Sequence, residues 1–93
     1  MISMEPVLSV IVPLYNEELR FARNAPSIID FFTRLPFSTE VIFVNDGSTD
    51  ETVALVTQLE RKGGCRLISY VLNRGKGFAI RVGAREARGT WRL

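Results

Sequence analysis

The chain has 93 residues, of which 46% are hydrophobic and 24% are charged, and this composition is that of one small globular domain or of a piece of a larger one. It excludes a collagen-like protein, a disulfide scaffold, a long coiled coil and an intrinsically disordered chain. Histidine is absent and Cys65 is the single cysteine, which excludes an internal disulfide and histidine-based acid–base or metal chemistry and favours a reducing compartment.

The charges are distributed unevenly along the chain. The net charge is only +2, but residues 1–60 carry three basic and nine acidic side chains, and residues 61–93 carry nine basic side chains and one acidic one. The basic last third predicts either internal ion pairs or a cationic wall for an anionic ligand. The alternative is that most of the arginines cover a solvated helix face.

Membrane and leader signals are missing from the sequence. No apolar run approaches the roughly 18 residues that a spanning helix needs, and residues 1–6 lack the basic and apolar regions of a secretory signal. We therefore expect a soluble chain located in the cytoplasm.

Three short apolar runs predict strands at residues 8–12, 41–44 and 67–72. They are nearly continuous rather than alternating, which is typical of strands that are covered on both faces. Trp91 is expected to begin a fourth strand.

Segments with helical periodicity lie between the predicted strands. The first is expected to begin at Pro26 behind a capping Asn24 and to end before Pro36. Its apolar positions are Ile28, Ile29, Phe32 and Leu35.

The second and third predicted helices are each delimited by recognisable end signals. Ser48 and Glu51 form a capping-box pattern at the start of the second helix, and residues 63–64, both glycine, end it. The third helix follows residues 73–77 and ends at Gly89. Inward positions are Val53, Val56 and Leu59 in the second helix and Ala79, Val82 and Ala87 in the third, while Arg81, Arg85 and Arg88 are expected outside.

The resulting order, β-α-β-α-β-α-β, predicts an α/β fold with a mostly parallel sheet and helices on both faces. Ligands of such sheets bind at the carboxyl ends of the strands. Three polar loops follow there: the first loop (residues 13–18, PLYNEE), the second loop (residues 45–50, NDGSTD) and the third loop (residues 73–77, NRGKG).

Several side chains in these loops are candidates for ligand binding. Asp46 suits hydrogen bonds from a nucleobase imide or a ribose hydroxyl, although a turn or capping role is the alternative. Tyr15 is suited equally to stacking on a base and to packing under its loop. Lys76 lies between two glycines near a helix start, where backbone N–H groups and one cation can meet a phosphate.

Other candidates have weaker support from the sequence. Glu17 and Glu18 are more typical of a solvated helix start, and Asp50 and Glu51 are read as structural residues of a first helical turn. No Walker loop and no GxGxxG motif occurs, which argues against an ATPase and against a dinucleotide-binding protein.

The three loops together, in this order and separation, resemble the N-terminal nucleotide-binding half of family 2 glycosyltransferases with the Rossmann-like GT-A fold. The similarity is strongest to the dolichyl-phosphate and polyprenyl-phosphate branch, in which a Gly-Lys-Gly loop leads into a helix that ends in Ala-Arg-Gly, here residues 87–89. The resemblance covers residues 8–93. It implies that residues 1–93 are the incomplete nucleotide-sugar-binding part of a glycosyltransferase domain.

The resemblance also implies roles for individual residues. Pro13, Tyr15 and Glu17 match a loop that lies along the base and ribose of the donor. Asp46 matches the aspartate that hydrogen-bonds the nucleobase, and Lys76 matches a basic position near the diphosphate. Asn45 departs from the Asp-Asp-Gly-Ser sequence that is common in the family.

For the whole enzyme, the resemblance implies inverting transfer of a sugar from a UDP- or GDP-sugar to a polyprenyl or dolichyl phosphate. A divalent Mg²⁺ or Mn²⁺ ion would offset charge on the departing diphosphate, and a carboxylate base would activate the acceptor. The Asp-x-Asp metal motif is expected beyond Leu93, so this chain alone is expected to hold neither metal nor catalytic residue. Membrane association is expected only through parts of the protein outside these residues.

Three alternatives stay open. The acceptor is a polysaccharide or a protein in the first of them. In the second, the chain is a non-catalytic nucleotide-sensing domain resembling a response regulator, which would predict an acidic cluster where Pro13 and Tyr15 stand. In the third, the arginine stripe binds nucleic acid; we expect no nucleic-acid partner because this reading does not explain the three loops.

Overall fold

The computed structural model describes residues 6–93 and has four strands and three helices in alternation. The predicted absence of a leader at residues 1–6 therefore concerns mainly residues outside the described range. The elements are β1 Leu8–Leu14, α1 Glu18–Thr33, β2 Thr39–Asp46, α2 Thr52–Lys62, β3 Arg66–Tyr70, α3 Lys76–Glu86 and β4 Trp91–Arg92.

All described strand pairs are parallel, and the sheet order is β3-β2-β1-β4. The predicted α/β class and the β-α-β-α-β-α-β order are confirmed. Because the strands are parallel, the three polar loops leave the sheet at the same edge, as the ligand-site prediction requires.

The core is built around β2, whose residues 41–44 are all at most 1% exposed. On one face of the sheet, Phe21 of α1 packs edge-on against Phe43 with ring centroids 5.1 Å apart. On the other face, α3 covers Ile42 and Val44 with Ala79. A strand that is buried on both faces explains the continuous apolar run, since each fully buried side chain of this size contributes roughly 1.5–3 kcal/mol.

The predicted start of the first helix is wrong, because α1 begins eight residues earlier and Pro26 lies inside it. Pro26 has no N–H to donate to the carbonyl of Ala22, and both residues lie on the exposed side of the helix. Burial of Phe21 and Ala25 extends the apolar stripe toward Glu18. At this earlier start, the N–H groups of Glu17 and Glu18 donate to the side chains of Thr52 and Asp50.

The capping box predicted for the second helix is also wrong. Its N-cap position is Glu51, and no side chain of its own caps it, while Ser48 is engaged elsewhere. Val56 is buried in this helix, as predicted, but Val53 is exposed, and the second buried position is Thr52. Gly63 ends α2 as predicted.

The third strand and the third helix end earlier than predicted. β3 ends at Tyr70, so that Val71 and Leu72 are 90% and 64% exposed. α3 ends at Glu86 rather than at Gly89, because Ala87 adopts an extended backbone. The fourth strand begins at Trp91 as predicted. Within residues 6–93, no helix has the length and apolar character that crossing a bilayer requires.

Candidate functional site

A cleft of about 460 Å³ lies at the carboxyl edge of the sheet, between the first and third loops. Its volume is within the range of roughly 300–1,000 Å³ that is usual for small-molecule sites. The structure brings all five predicted site residues to its wall. The lining residues are Pro13, Leu14, Tyr15, Glu17, Arg20, Asp46, Asn73, Gly75 and Lys76.

The first and second loops hold each other through reciprocal hydrogen bonds. The Oδ1 atom of Asn16 accepts hydrogen bonds from the backbone N–H groups of Thr49 (2.7 Å) and Asp50 (3.2 Å). In the opposite direction, the N–H of Asn16 donates to Ser48 Oγ at 3.1 Å, and that of Glu17 donates to Thr52 Oγ1 at 3.0 Å. The start of α1 is therefore capped by side chains that lie more than thirty residues later in the sequence, and Asn16 in turn satisfies two N–H groups just ahead of α2.

Asp50 has the structural role that was predicted for it. Its carboxylate accepts hydrogen bonds from the N–H and the hydroxyl of Thr52 and from the N–H of Glu18 at 3.4 Å. Burial alone would raise the pKa of Asp50, but these hydrogen bonds outweigh burial and hold it below its ordinary value of 3.8.

Asp46 forms the floor of the cleft and is 3% exposed. Its Oδ1 accepts hydrogen bonds from the Tyr70 hydroxyl (2.6 Å) and the N–H of Arg74 (2.9 Å). Its Oδ2 accepts hydrogen bonds from Asn73 Nδ2 and the N–H of Gly75, both at 2.9 Å. A carboxylate has about four acceptor positions, so Asp46 is saturated by β3 and the third loop.

These hydrogen bonds also set the ionisation of the pair. Burial would raise the pKa of Asp46, but hydrogen bonds donated by Tyr70, Arg74 and Gly75 outweigh burial and hold this pKa below its ordinary value of 3.8. Burial, with the hydrogen bond to Asp46 and its negative charge, raises the pKa of Tyr70 to about 12. The pair is thus a phenol donating to a carboxylate throughout the physiological pH range.

Gly47 allows the second and third loops to touch. Its φ angle is +68°, and a Cβ atom there would lie 2.7 Å from the carbonyl carbon of Leu72 and 2.8 Å from the backbone oxygen of Val71. No other residue fits this approach without moving the third loop. The close packing keeps Asn73 and Gly75 beside Asp46.

The charges in the cleft are unequally engaged. Glu17 pairs with Arg20, with Arg20 Nε and Glu17 Oε2 3.5 Å apart, and Asp46 is satisfied by its donors. Lys76 is exposed, opens α3 and has no ion-pair partner among residues 6–93. An unengaged cation at an uncapped helix N-terminus is a favourable place for a phosphate group.

The predicted site residues did not include Arg20, Asn73 or Tyr70, which lie at or behind the cleft. Arg20 was missed because the first helix was expected to start at Pro26; its three-residue spacing from Glu17 is the signal that an earlier start would have revealed. Asn73 was quoted within the third loop but given no role. Tyr70 was assigned only to a strand, and nothing in the local sequence indicates its contact with Asp46.

The expected metal ion finds no ligand set in this part of the protein. Among residues 6–93, no three histidine, cysteine, aspartate or glutamate side chains come together as metal ligands. Asp46, the acidic group at the centre of the cleft, has its acceptor positions occupied by protein donors. The described residues therefore do not fit a divalent ion, and an Asp-x-Asp beyond Leu93 stays a prediction.

The arginine stripe predicted on the third helix is solvated. Arg81, Arg85 and Arg88 are all exposed, and none of them lines the cleft. Other basic residues of the last third form internal contacts: Arg66 pairs with Glu40 at 3.0 Å, and Arg92 donates to backbone oxygens of Ala84 and Ala87.

A parallel sheet with a polar cleft at its carboxyl edge, lined by an aromatic ring, a carboxylate and the cation of Lys76, defines an open α/β domain of the class that binds ligands at this edge. The family model described as glycosyl transferase family 2 matches residues 9–93. The chain belongs to this family.

Curated relatives agree with this assignment. The chain is 41% identical over 90 residues to a dolichyl-phosphate β-glucosyltransferase of Drosophila melanogaster, an alignment that covers 88% of this chain and 28% of that protein. The human protein of the same name is 40% identical over 90 residues, with the same two coverages. The chain thus spans little more than a quarter of the length of these relatives.

Solved structures show the same fold. Residues 1–349 of TarS from S. aureus, in complex with UDP-GlcNAc, superpose with a TM-score of 0.77 at 30% identity, covering 92% of this chain and 25% of that one. A mannosyltransferase of Pyrobaculum calidifontis, in complex with GDP-Man and Mn²⁺, gives a TM-score of 0.72 at 26% identity, covering 91% of this chain and 25% of that one. These neighbours confirm the predicted GT-A class of the fold.

Proposed function

We propose that the whole protein is a glycosyltransferase that moves a sugar from a nucleoside-diphosphate sugar to a polyprenyl or dolichyl phosphate by inverting single displacement. Residues 1–93 supply the N-terminal part of its donor-binding domain. Support comes from relatives named dolichyl-phosphate β-glucosyltransferase and from neighbours solved with UDP-GlcNAc or GDP-Man. The observation that carries the proposal is the convergence of Pro13, Tyr15, Glu17, Asp46 and Lys76 on one cleft.

Each wall of the cleft suits a different part of the donor. Pro13 and the half-exposed ring of Tyr15 provide an apolar surface for a flat base, and Glu17 provides acceptors for ribose hydroxyls. Lys76 and the start of α3 provide positive charge for the diphosphate. A direct hydrogen bond from the nucleobase to Asp46 stays a prediction, and it requires a protein donor of Asp46 to yield.

These residues bind and orient the donor, and the chemical step needs further groups. A divalent ion would offset charge on the leaving diphosphate, and a carboxylate base would deprotonate the acceptor. We assign both to parts of the protein outside this chain. Because the proposed acceptor is a lipid, the proposal also includes association of the whole protein with a membrane, at its cytoplasmic face.

The donor-binding part of the proposal is tested by calorimetric titration of UDP and GDP into the whole protein. Substituting Lys76→Ala is expected to weaken nucleoside-diphosphate binding by roughly tenfold, because a charge-assisted contact is worth about 1.5 kcal/mol or more. Lys62→Ala, at the exposed end of α2, is the matched control and is expected to bind as the wild type. Absence of binding in the wild type would refute the proposal.

The acceptor is tested separately with a radiolabelled sugar nucleotide. Incubation with polyprenyl phosphate vesicles is expected to give product that partitions into organic solvent. Label that instead appears in polysaccharide or protein would assign the acceptor to one of those classes and reject the lipid.

A further inference from the structure

The hydroxyl of Tyr70 acts on the cleft from behind it. Tyr70 is the last residue of β3 and lies in register with Asp46 of β2. Its ring packs edge-on against Phe78 of α3 with centroids 5.4 Å apart, and its hydroxyl donates to Asp46 Oδ1 at 2.6 Å. Tyr70 itself does not line the cleft.

Asp46 connects Tyr70 to the third loop, because its carboxylate accepts hydrogen bonds from both. The same carboxylate receives the N–H groups of Arg74 and Gly75 and the side-chain amide of Asn73, whose Nδ2 also donates to the backbone oxygen of Asp46 at 3.0 Å. These residues directly precede Lys76. The orientation of one carboxylate therefore fixes the backbone that presents the free cation of the cleft.

We propose that Tyr70 is a positioning residue of the donor site, whose hydroxyl holds the Asp46 carboxylate in the orientation that organises the third loop. This inference rests on the proposed donor-binding function. Tyr70 touches no part of the proposed ligand and acts through Asp46, so removing its hydroxyl is expected to affect binding of the nucleotide more than the chemical step.

The physical basis is the number of restraints on Asp46. With four donors, both carboxylate oxygens are fixed. Without the phenol, Oδ1 keeps only the N–H of Arg74, so the carboxylate can rotate toward that group and its geometry with Asn73 and Gly75 loosens. A loop organised before binding loses less conformational freedom when the ligand arrives, which is why the loss is expected in affinity.

Tyr70→Phe in the whole protein is the decisive variant, because it keeps the ring against Phe78 and removes only the hydroxyl. The KM for the sugar nucleotide and the Kd for UDP or GDP are expected to rise about five- to tenfold, as for loss of one hydrogen bond of ordinary strength, because Tyr70 acts only through Asp46, while kcat stays within about twofold. The control is Thr57→Val, which removes an exposed hydroxyl bonded to the carbonyl of Val53 in α2 and is expected to change neither constant.

A ligand-free measurement tests the mechanism directly. Amide hydrogen exchange at Arg74 and Gly75 is expected to be slow in the wild type and at least several-fold faster in Tyr70→Phe, with exchange in β2 unchanged. Fast exchange in the wild type, or equal rates in the variant, would overturn the proposal. If the wild type binds UDP or GDP and Tyr70→Phe binds it equally well, the proposal is also overturned. That result would leave the donor-binding function standing. A wild type that binds neither UDP nor GDP would instead overturn the donor-binding function and, with it, the role of Tyr70.

Discussion

Asn16 joins two loops through both its backbone and its side chain. It is the one non-glycine residue within 6–93 that has a positive φ, at 51°, a region that asparagine tolerates better than most residues. In this conformation its Oδ1 accepts hydrogen bonds from the N–H groups of Thr49 and Asp50, just ahead of α2. The residue therefore combines an unusual backbone shape with a capping function.

Two substitutions at Asn16 separate these effects. Asn16→Gly keeps the backbone shape and loses the side-chain acceptor of two hydrogen bonds, so the free energy of unfolding is expected to fall by about 1 kcal/mol. Asn16→Ala also has to hold a side chain at positive φ, which costs roughly a further 1 kcal/mol. Urea unfolding of both variants measures the difference, and equal stabilities would show that the backbone shape at Asn16 carries no strain.

At the scale of elements, the alternation of strands and helices was predictable because a short, continuous apolar run indicates a strand that is buried on both faces. Residues 41–44 are apolar throughout, and a strand buried on both faces has no polar position to reveal its periodicity. The location of all five predicted site residues at the carboxyl edge of the sheet followed from parallel pairing alone. Their convergence needed no knowledge of side-chain packing.

Helix starts were not predictable, because the groups that fix them are distant in sequence. α1 begins at Glu18 since Asp50 and Thr52 accept the N–H groups there, more than thirty residues away. The local signals at Asn24 and Pro26 and the capping-box pattern at Ser48 were outweighed by these contacts. The contact of Tyr70 with the cleft was not predictable for the same reason, since its hydrogen-bond partner Asp46 lies 24 residues earlier.

Packing of α3 on the sheet can be tested with two glycines of the same helix. A Cβ at Gly83 would lie 3.1 Å from Val44 Cγ2 and closer still to Ile11 Cγ2, whereas one at Gly77 meets nothing within 4 Å. Alanine raises helix propensity at both positions by about 1 kcal/mol. Overpacking costs roughly 1–3 kcal/mol and opposes this gain at Gly83 alone.

We therefore expect opposite results from the two alanine variants. Gly77→Ala should be as stable as the wild type or up to about 1 kcal/mol more stable, and Gly83→Ala should be less stable. Thermal unfolding of both proteins compares them directly. A stabilised Gly83→Ala would mean that α3 moves away from β1 without cost, which would contradict the tight contact between this helix and the sheet.

At the scale of the whole molecule, the basic side chains of residues 61–93 have two different roles. Arg66 returns to the acidic part of the chain, donating to Glu40 at the amino-terminal edge of the sheet, and Lys76 stands free at the opposite edge. Glu40 also accepts hydrogen bonds from Ser9 Oγ and the N–H of Arg88, both at 2.6 Å, so it ties β1, β2 and the segment before β4 together. The charge asymmetry thus supports folding at one end of the sheet and the cleft at the other.

Acid stability follows from the carboxylates at these two edges. Burial would raise the pKa of Glu40, but hydrogen bonds from Ser9, Arg88 and Arg66 and the charge of Arg66 hold it below 4.5, and the pKa values of Asp46 and Asp50 lie below 3.8 for similar reasons. A carboxyl whose pKa is lower in the folded state stabilises the fold fully above its unfolded pKa and loses that contribution as the pH falls through the folded value. The free energy of unfolding is therefore expected to be level from pH 7 to about 5 and to fall below pH 4.5. Urea unfolding at pH 7, 5, 4 and 3 measures this profile.

Glu40→Gln should be less stable than the wild type at pH 7 and should lose less stability on acidification, because one of the three linked groups no longer titrates. A loss as steep as in the wild type would contradict the assignment of Glu40 to the acid transition.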